Sequence, residues 1–261
     1  GKQYRIEGRF DEPVSQNTSF SIITGTLGLS GNFALVTESD KYLSELSVFD
    51  SNGKSMFHWY DTQGRIISTA LSPDGKSIAA TEVSSKNGDI TSSVKVFRLD
   101  STKAIAEKQF DGALLFSIQY SNNNRIAAVG DIQTNFFDGD GKSTGQYTYG
   151  SKKLSCFANA NGSTVLGFNR YVDGKAATSL VTLNEKDAPK SAKTADMDTK
   201  IESISTDSSG YTALASDKFY RYDANGKKIA TVKAAGDKLA SVTQAKNHYI
   251  FGLQEIYWYT E

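Results

Sequence analysis

Phe49-Asp50-Ser51-Asn52-Gly53-Lys54 returns as Phe137-Asp138-Gly139-Asp140-Gly141-Lys142 and again as Tyr222-Asp223-Ala224-Asn225-Gly226-Lys227. Each copy runs aromatic, Asp, two variable positions, Gly, Lys, and so carries the Asp, Asn and Gly residues that a tight β-hairpin turn demands. The copies start 88 and 85 residues apart. Each gap is twice a period of about 43, and a fixed period of that size marks a chain assembled from repeated supersecondary units.

Degraded copies stand where the period puts them: Val94-Lys95-Val96-Phe97-Arg98-Leu99-Asp100, Thr178-Ser179-Leu180-Val181-Thr182-Leu183-Asn184, and Ile256-Tyr257-Trp258-Tyr259-Thr260-Glu261. Taking Phe49, Phe97, Phe137, Leu183, Tyr222 and Tyr259 as equivalent gives six units, with steps of 37 to 48 residues. A second signature precedes the first within each unit, clearest as Leu71-Ser72-Pro73-Asp74-Gly75-Lys76-Ser77-Ile78-Ala79-Ala80. Pro presets φ, Asp bonds its own backbone and Gly tolerates positive φ, so a turn is followed by a strand. Weaker copies begin at Ser121, Asn159 and Asp207, and shortened ones at Ser30 and Ala245.

Each unit then reads as four short strands, in the second unit Arg65–Leu71 followed by 77–82, 92–98 and 103–109. Roughly 40–45 residues in four strands is the content of one β-propeller blade. The expected fold is all-β, a single propeller domain over residues 1–261. It has six blades, or seven or eight if the chain is part of a longer ring. A blade stacks on a neighbour through each face, so its second strand can be apolar without alternation, as in Ile78-Ala79-Ala80, Ile126-Ala127-Ala128-Val129 and Ala213-Leu214-Ala215. Residues 102–109 and 187–200 lack an apolar stripe at helical spacing, and no substantial helix is expected. The last unit stops after its third strand, and residues 3–10 read as a strand. The N-terminal strand is therefore expected to close the last blade.

Composition narrows the function classes. Lys and Arg total 29, as do Asp and Glu. This balance gives no electrostatic case for nucleic acid or an anionic membrane surface. A lone Cys156 leaves no internal disulfide, and no apolar run approaches the length of a membrane-spanning helix. A start at Gly1 rather than Met raises the expectation of a natural N-terminal segment ahead of this sequence.

The Ser72-Pro73-Asp74-Gly75-Lys76 turn with Ile78-Ala79-Ala80, and the recurring aromatic-Asp-x-x-Gly-Lys, resemble the bacterial propellers grouped as WD-repeat-like, YVTN-like and quinoprotein-like. Residues 42–99 are similar to a family of membrane-anchored propellers of Gram-positive gut bacteria. That resemblance implies an N-terminal transmembrane anchor and a propeller on the extracytoplasmic face of the cell membrane. The chain departs from better-known relatives. With only His58 and His248, the His-Ser-Asp-Trp network of true WD repeats cannot recur. Quinoprotein dehydrogenases are longer and carry adjacent disulfide-bonded cysteines, and the Ser-x-Asp-x-Gly-x-x-Trp turns of sialidase-type propellers are absent.

Candidate chemistry is sparse. Cys156, set in Leu154-Ser155-Cys156-Phe157-Ala158, reads as a buried strand residue rather than a thiol nucleophile paired with a distant His. Asp138-Gly139-Asp140-Gly141 resembles the opening of a calcium loop but lacks its remaining ligands, and reads as a turn. Ser92-Ser93-Val94-Lys95 matches a Ser-x-x-Lys motif in a stretch that reads as strand rather than helix start. No His-x-x-x-His or Cys-x-x-Cys grouping offers a metal site. Three aromatic clusters, His58-Trp59-Tyr60, Tyr220-Arg221-Tyr222 and Tyr257-Trp258-Tyr259, read as packing between blades, with a contact surface as the alternative.

These readings assign no catalytic, cofactor-binding or metal-ligating residue. The expected function is a non-catalytic extracytoplasmic binding, sensing or scaffold module without cofactor. Its partner is a protein or a cell-envelope glycan, met on the loops 38–45, 82–91 and 170–176. The alternative is a hydrolase or lyase acting on a carbohydrate or small ester at the mouth of the central channel. Its signature would be two carboxylates, or a carboxylate with His or Lys, converging there with shifted pKa values. A structural spacer with a large apolar face is the third possibility.

Overall fold

The computed structural model describes residues 1–7, 13–160, 162–185, 190, 192–207, 209–234, 239–244 and 247–260. Among them every long regular element is a β-strand and no helix occurs. The chain divides into two compact units, Gly1–Thr144 and Gly145–Glu261.

The first unit opens with a two-stranded hairpin, β1 (Gln3–Ile6) against β2 (Val14–Asn17). Two four-stranded sheets follow. One is β3 (Ile22–Leu27), β4 (Phe33–Thr37), β5 (Ser44–Phe49) and β6 (Ser55–Asp61); the other is β7 (Arg65–Leu71), β8 (Ser77–Lys86), β9 (Asp89–Arg98) and β10 (Ala104–Asp111). A third sheet joins β11 (Leu115–Tyr120), β12 (Arg125–Gly130), β13 (Gln133–Asp138) and β14 (Ser143–Thr148), the last running into the second unit. That unit holds β15 (Cys156–Ala160), β16 (Ser163–Val172), β17 (Lys175–Asn184) and β18 (Lys193–Met197), then β19 (Ser203–Asp207), β20 (Gly210–Leu214), β21 (Lys218–Asp223) and β22 (Lys228–Lys233). It ends with a three-stranded sheet of β23 (Ala240–Gln244), β24 (Asn247–Phe251) and β25 (Ile256–Thr260). In all of these sheets spatial order equals chain order, the antiparallel meander expected of propeller blades.

The aromatic-Asp-x-x-Gly-Lys copies are the turns between third and fourth strands, and they share their hydrogen bonds. Asp50 Oδ1 accepts the N–H groups of Asn52 and Lys54, both at 2.9 Å. Asp138 Oδ1 does the same for Asp140 at 3.2 Å and Lys142 at 2.8 Å, and Asp223 Oδ1 for Asn225 and Lys227 at 2.9 Å. Gly53, Gly141 and Gly226 stand at φ of 80°, 86° and 77°, which is the reason for glycine there. In the Pro73 turn, Ser72 Oγ donates to Asp74 Oδ1 at 2.6 Å and accepts the Ser77 N–H at 2.9 Å. The copy at Ser121 closes alike, its N–H donating to the Arg125 carbonyl at 2.8 Å, and those at Asn159, Asp207 and Ala245 lie partly outside the described residues, at 161, 208 and 245–246.

Burial follows from stacking. Ala34, Val36, Leu46 and Val48 of the β3–β6 sheet pack against Ile66, Ile78, Ala80 and Phe97 of the next. Ala79, Val94 and Val96 turn the opposite way, onto Leu115, Ile118, Ile126 and Ala128. Alternate residues of β8 thus serve opposite neighbours, which is why Ile78-Ala79-Ala80 needs no polar position. In the second unit Tyr211 and Ala213 pack with Val165 and Leu180, while Leu214 joins Phe219 and Ile250. The fourth strands alternate exposed with partly buried residues along β14 and β22.

Two expectations need correction. Among the described residues, the segment 3–10 supplies no fourth strand to the last sheet: its described part, β1, pairs with β2, and β23–β25 form a sheet of three. A hairpin partner nearby in sequence costs less loop-closure entropy than one at the far end of the chain. The stretches 82–91 and 170–176 are not loops either. β8 pairs with β9 up to Lys86↔Asp89, and β16 with β17 up to Val172↔Lys175. Each closes on a two-residue turn with both φ positive, Asn87 and Gly88 at 55° and 89°, Asp173 and Gly174 at 50° and 75°. Asn-Gly and Asp-Gly favour that turn, whose twist matches the strands.

Candidate functional site

The buried charged groups among the described residues of the first unit converge where β6 meets the following sheet. Asp61, Glu82 and Lys95, at 1%, 3% and 5% exposure, come from β6, β8 and β9. Lys95 Nζ pairs with Glu82 and lies 3.7 Å from Glu107 Oε1 on β10. Asp61 Oδ1 accepts the Gln63 N–H at 2.9 Å and the Gly64 N–H at 3.3 Å. No N–H or hydroxyl reaches the buried Asp61 Oδ2. Burial first, then the neighbouring Asp61 carboxyl, pushes the pKa of Glu82 up to about 7, against the pull of Lys95. Lys95 Nζ also sits 5.0 Å from the Trp59 ring centroid, and Trp59 packs on Phe97 at 4.8 Å.

A groove of about 220 Å³ opens beside this cluster, lined by Trp59, Tyr60, Asp61, Gln63, Lys95 and Glu107 among others. Above it, Tyr60 contacts Tyr42 and His58, each with ring centroids 4.4 Å apart. The loop 38–45 and the cluster His58-Trp59-Tyr60 are thereby brought together. His58 Nδ1 is 2.9 Å from Ser47 Oγ, and His58 Nε2 is 3.7 Å from Glu45 Oε2. This row contains the residue types of a nucleophilic triad, but β5 is laddered on both edges, to β4 and β6. Its backbone amides are committed to the sheet, whereas acyl transfer needs free N–H donors for an oxyanion.

A second cleft of about 320 Å³ follows the first strands β3, β7 and β11. Thr24, Thr26, Ser68, Thr69, Ser117 and Gln119 give it hydroxyls and an amide, and no carboxylate, imidazole or amine is among its lining residues. The carboxylate cluster that sequence reasoning associated with an enzyme lies instead against the fourth strand β6. Sequence missed it because its members are separated along the chain and Glu82 was read as the start of a loop.

The other candidates resolve individually. Cys156 begins β15, and burial first, then the charge of Glu202, pushes its thiol up to about 12, against a smaller opposing pull from Lys200. Asp138 Oδ1 is held by amides in a hairpin turn. Ser92 and Lys95 are three apart on β9 and face opposite sides of the sheet. Tyr220 and Tyr222 are buried, with Tyr222 stacked on Tyr211 at 4.6 Å. Tyr259 packs on Phe219 at 5.3 Å, while Trp258 between Tyr257 and Tyr259 is exposed. Among the described residues no group of three His, Cys, Asp or Glu is placed to hold a metal ion.

Comparison with solved structures identifies the fold. The WD40 domain of Neurospora crassa Pan2 matches with a TM-score of 0.55 at 8% identity, covering 92% of this chain and 88% of that one. Kluyveromyces lactis Hsv2, with its complete loop 6CD, matches at 0.61 and 11% identity, over 93% and 74%. The protein is a WD40-like β-propeller. No curated protein matches its sequence. Residues 11–256 match DUF5711, a family of unknown function, and the chain belongs to that family.

Proposed function

We propose that the protein is a non-catalytic binding or scaffold module that meets a protein partner on the outer side of the cell membrane. One observation carries the reading. The β16–β17 hairpin continues as a two-stranded projection past both its neighbours, since β15 follows β16 only to Gly167 and β18 follows β17 only to Thr178, and the β8–β9 hairpin reaches past β7, which stops at Val83, while β10 follows β9 to Thr91. Their tips bear exposed Ile90 on one and Tyr171 and Val172 on the other. Apolar groups presented on hydrogen-bonded arms lose little conformational entropy on binding.

The rival reading, hydrolysis or elimination on a carbohydrate or small ester, has less support. The cleft along the first strands offers hydroxyls and an amide. The Asp61 and Glu82 carboxylates are engaged within the protein, one by two backbone amides and the other by Lys95. The outer-membrane-face placement rests on the similarity of residues 42–99 to anchored propellers, and protease shaving of intact cells checks it. Photo-crosslinkers at positions 90 and 171 test the binding role. Discrete adducts from both tips, and none from an exposed position on β22, are expected; adducts from β22 alone contradict it.

A further inference from the structure

We propose that the groove between the first two sheets is a subsite for a single neutral pyranose ring, with Lys95 and Gln63 as donors, Glu107 as acceptor, and Tyr60 as the apolar wall. The inference goes beyond the binding role of the hairpins and does not depend on it.

Size and charge select the ligand. About 220 Å³ lies below the roughly 300 Å³ at which pockets for drug-sized molecules begin, and leaves room for one small ring. The groove contains a fixed ammonium and two carboxylates on different elements. An anion entering it meets Asp61 and Glu107, and a cation meets Lys95, which already occupies the acidic centre and the Trp59 face. A neutral polyol meets neither repulsion. Its hydroxyls can donate to carboxylate and accept from ammonium in turn, while its C–H face lies on aromatic carbon. The ammonium is held beforehand, Lys95 by Glu82 and Glu107. A site built this way loses little entropy on binding.

The test is saturation-transfer NMR and titration calorimetry on the full chain. The probes are methyl glycosides of glucose, galactose, N-acetylglucosamine and glucuronic acid, with tetramethylammonium and inorganic phosphate as charged comparators. At least one neutral glycoside is expected to bind at millimolar concentration, with Glu107→Gln and Gln63→Ala each weakening it several-fold at an unchanged melting temperature. Both side chains are at the surface, so the fold is kept. Binding of only the charged probes overturns the assignment, as does glycoside binding that neither variant moves, or no binding by any probe. Unchanged crosslinking from positions 90 and 171 in the same variants keeps this result separate from the role of the hairpins.

Discussion

The hydroxyl of Ser92, buried at the start of the β9 packing face, accepts the N–H of Leu115 at 2.9 Å, and it also donates to the Ala113 carbonyl at 2.8 Å. It ties one sheet to the first strand of the next. Ser44 takes the Ile66 N–H at 3.0 Å in the preceding pair of sheets, and Thr178 takes that of Ile201 at 3.0 Å in the second unit. All three hydroxyl residues are fully buried. Hydroxyls on third strands thus provide a repeated polar link between sheets that two histidines cannot.

Ser92→Ala removes both bonds and leaves a buried amide and carbonyl without that partner, at a cost of about 1–3 kcal/mol. Thr178 fills the equivalent role, so Ser92→Thr is expected to avoid most of that loss. Urea unfolding of the two variants checks this.

The turn glycines separate two costs. At Gly226 a methyl group meets only Thr182 Oγ1 at 3.6 Å and Tyr211 Oη at 3.9 Å, so Gly226→Ala bears the left-handed backbone penalty alone, about 1–2 kcal/mol. At Gly141 the same methyl would stand 2.5 Å from Ala106 Cβ and 2.9 Å from Val96 Cγ2. Gly141→Ala is therefore expected to destabilise more, read as a lower melting temperature than that of Gly226→Ala.

Glu82 binds its proton more tightly in the folded protein than in the unfolded chain. Its contribution to stability is complete below the ordinary carboxyl range and is lost as pH rises through about 7. The melting temperature is expected to fall as pH rises from 4.5 to about 7 and to level off above that. Glu82→Gln, which stays neutral, is expected to flatten this fall; an unchanged slope would show that other groups cause it.

The Cys156 thiol, pushed up to about 12 chiefly by burial, is expected to resist alkylation. Iodoacetamide near neutral pH should label the native protein far more slowly than the protein in urea, and equal rates would refute this.

Turn chemistry was the most legible part of the sequence. Asp50, Asp138 and Asp223 announce their hairpins because a carboxylate bonding two amides is a local event, written in adjacent residues. The double burial of Ile78-Ala79-Ala80 was equally plain. The reach of β8 and β9 was not, because Ser84, Ser85 and Asp89 are polar and no third strand stands beside them to impose alternation. Asn87-Gly88 and Asp173-Gly174 were the available signals. The convergence of Asp61, Glu82 and Lys95 had no signal at all, since buried charges look like surface charges until the sheets that carry them are stacked.

Amide hydrogen exchange resolved by strand tests the repeated-sheet architecture most directly. β8, β12, β16 and β20 are hydrogen-bonded along both edges and largely buried, whereas β10, β18 and β22 have a neighbour on one edge only. The second and third strands should therefore exchange slowest in every repeat, with the fourth strands showing alternating fast amides. Protection that fails to recur with the period of about 43 residues, or that is strongest in the fourth strands, would contradict the stacked four-stranded sheets on which the proposed sites depend.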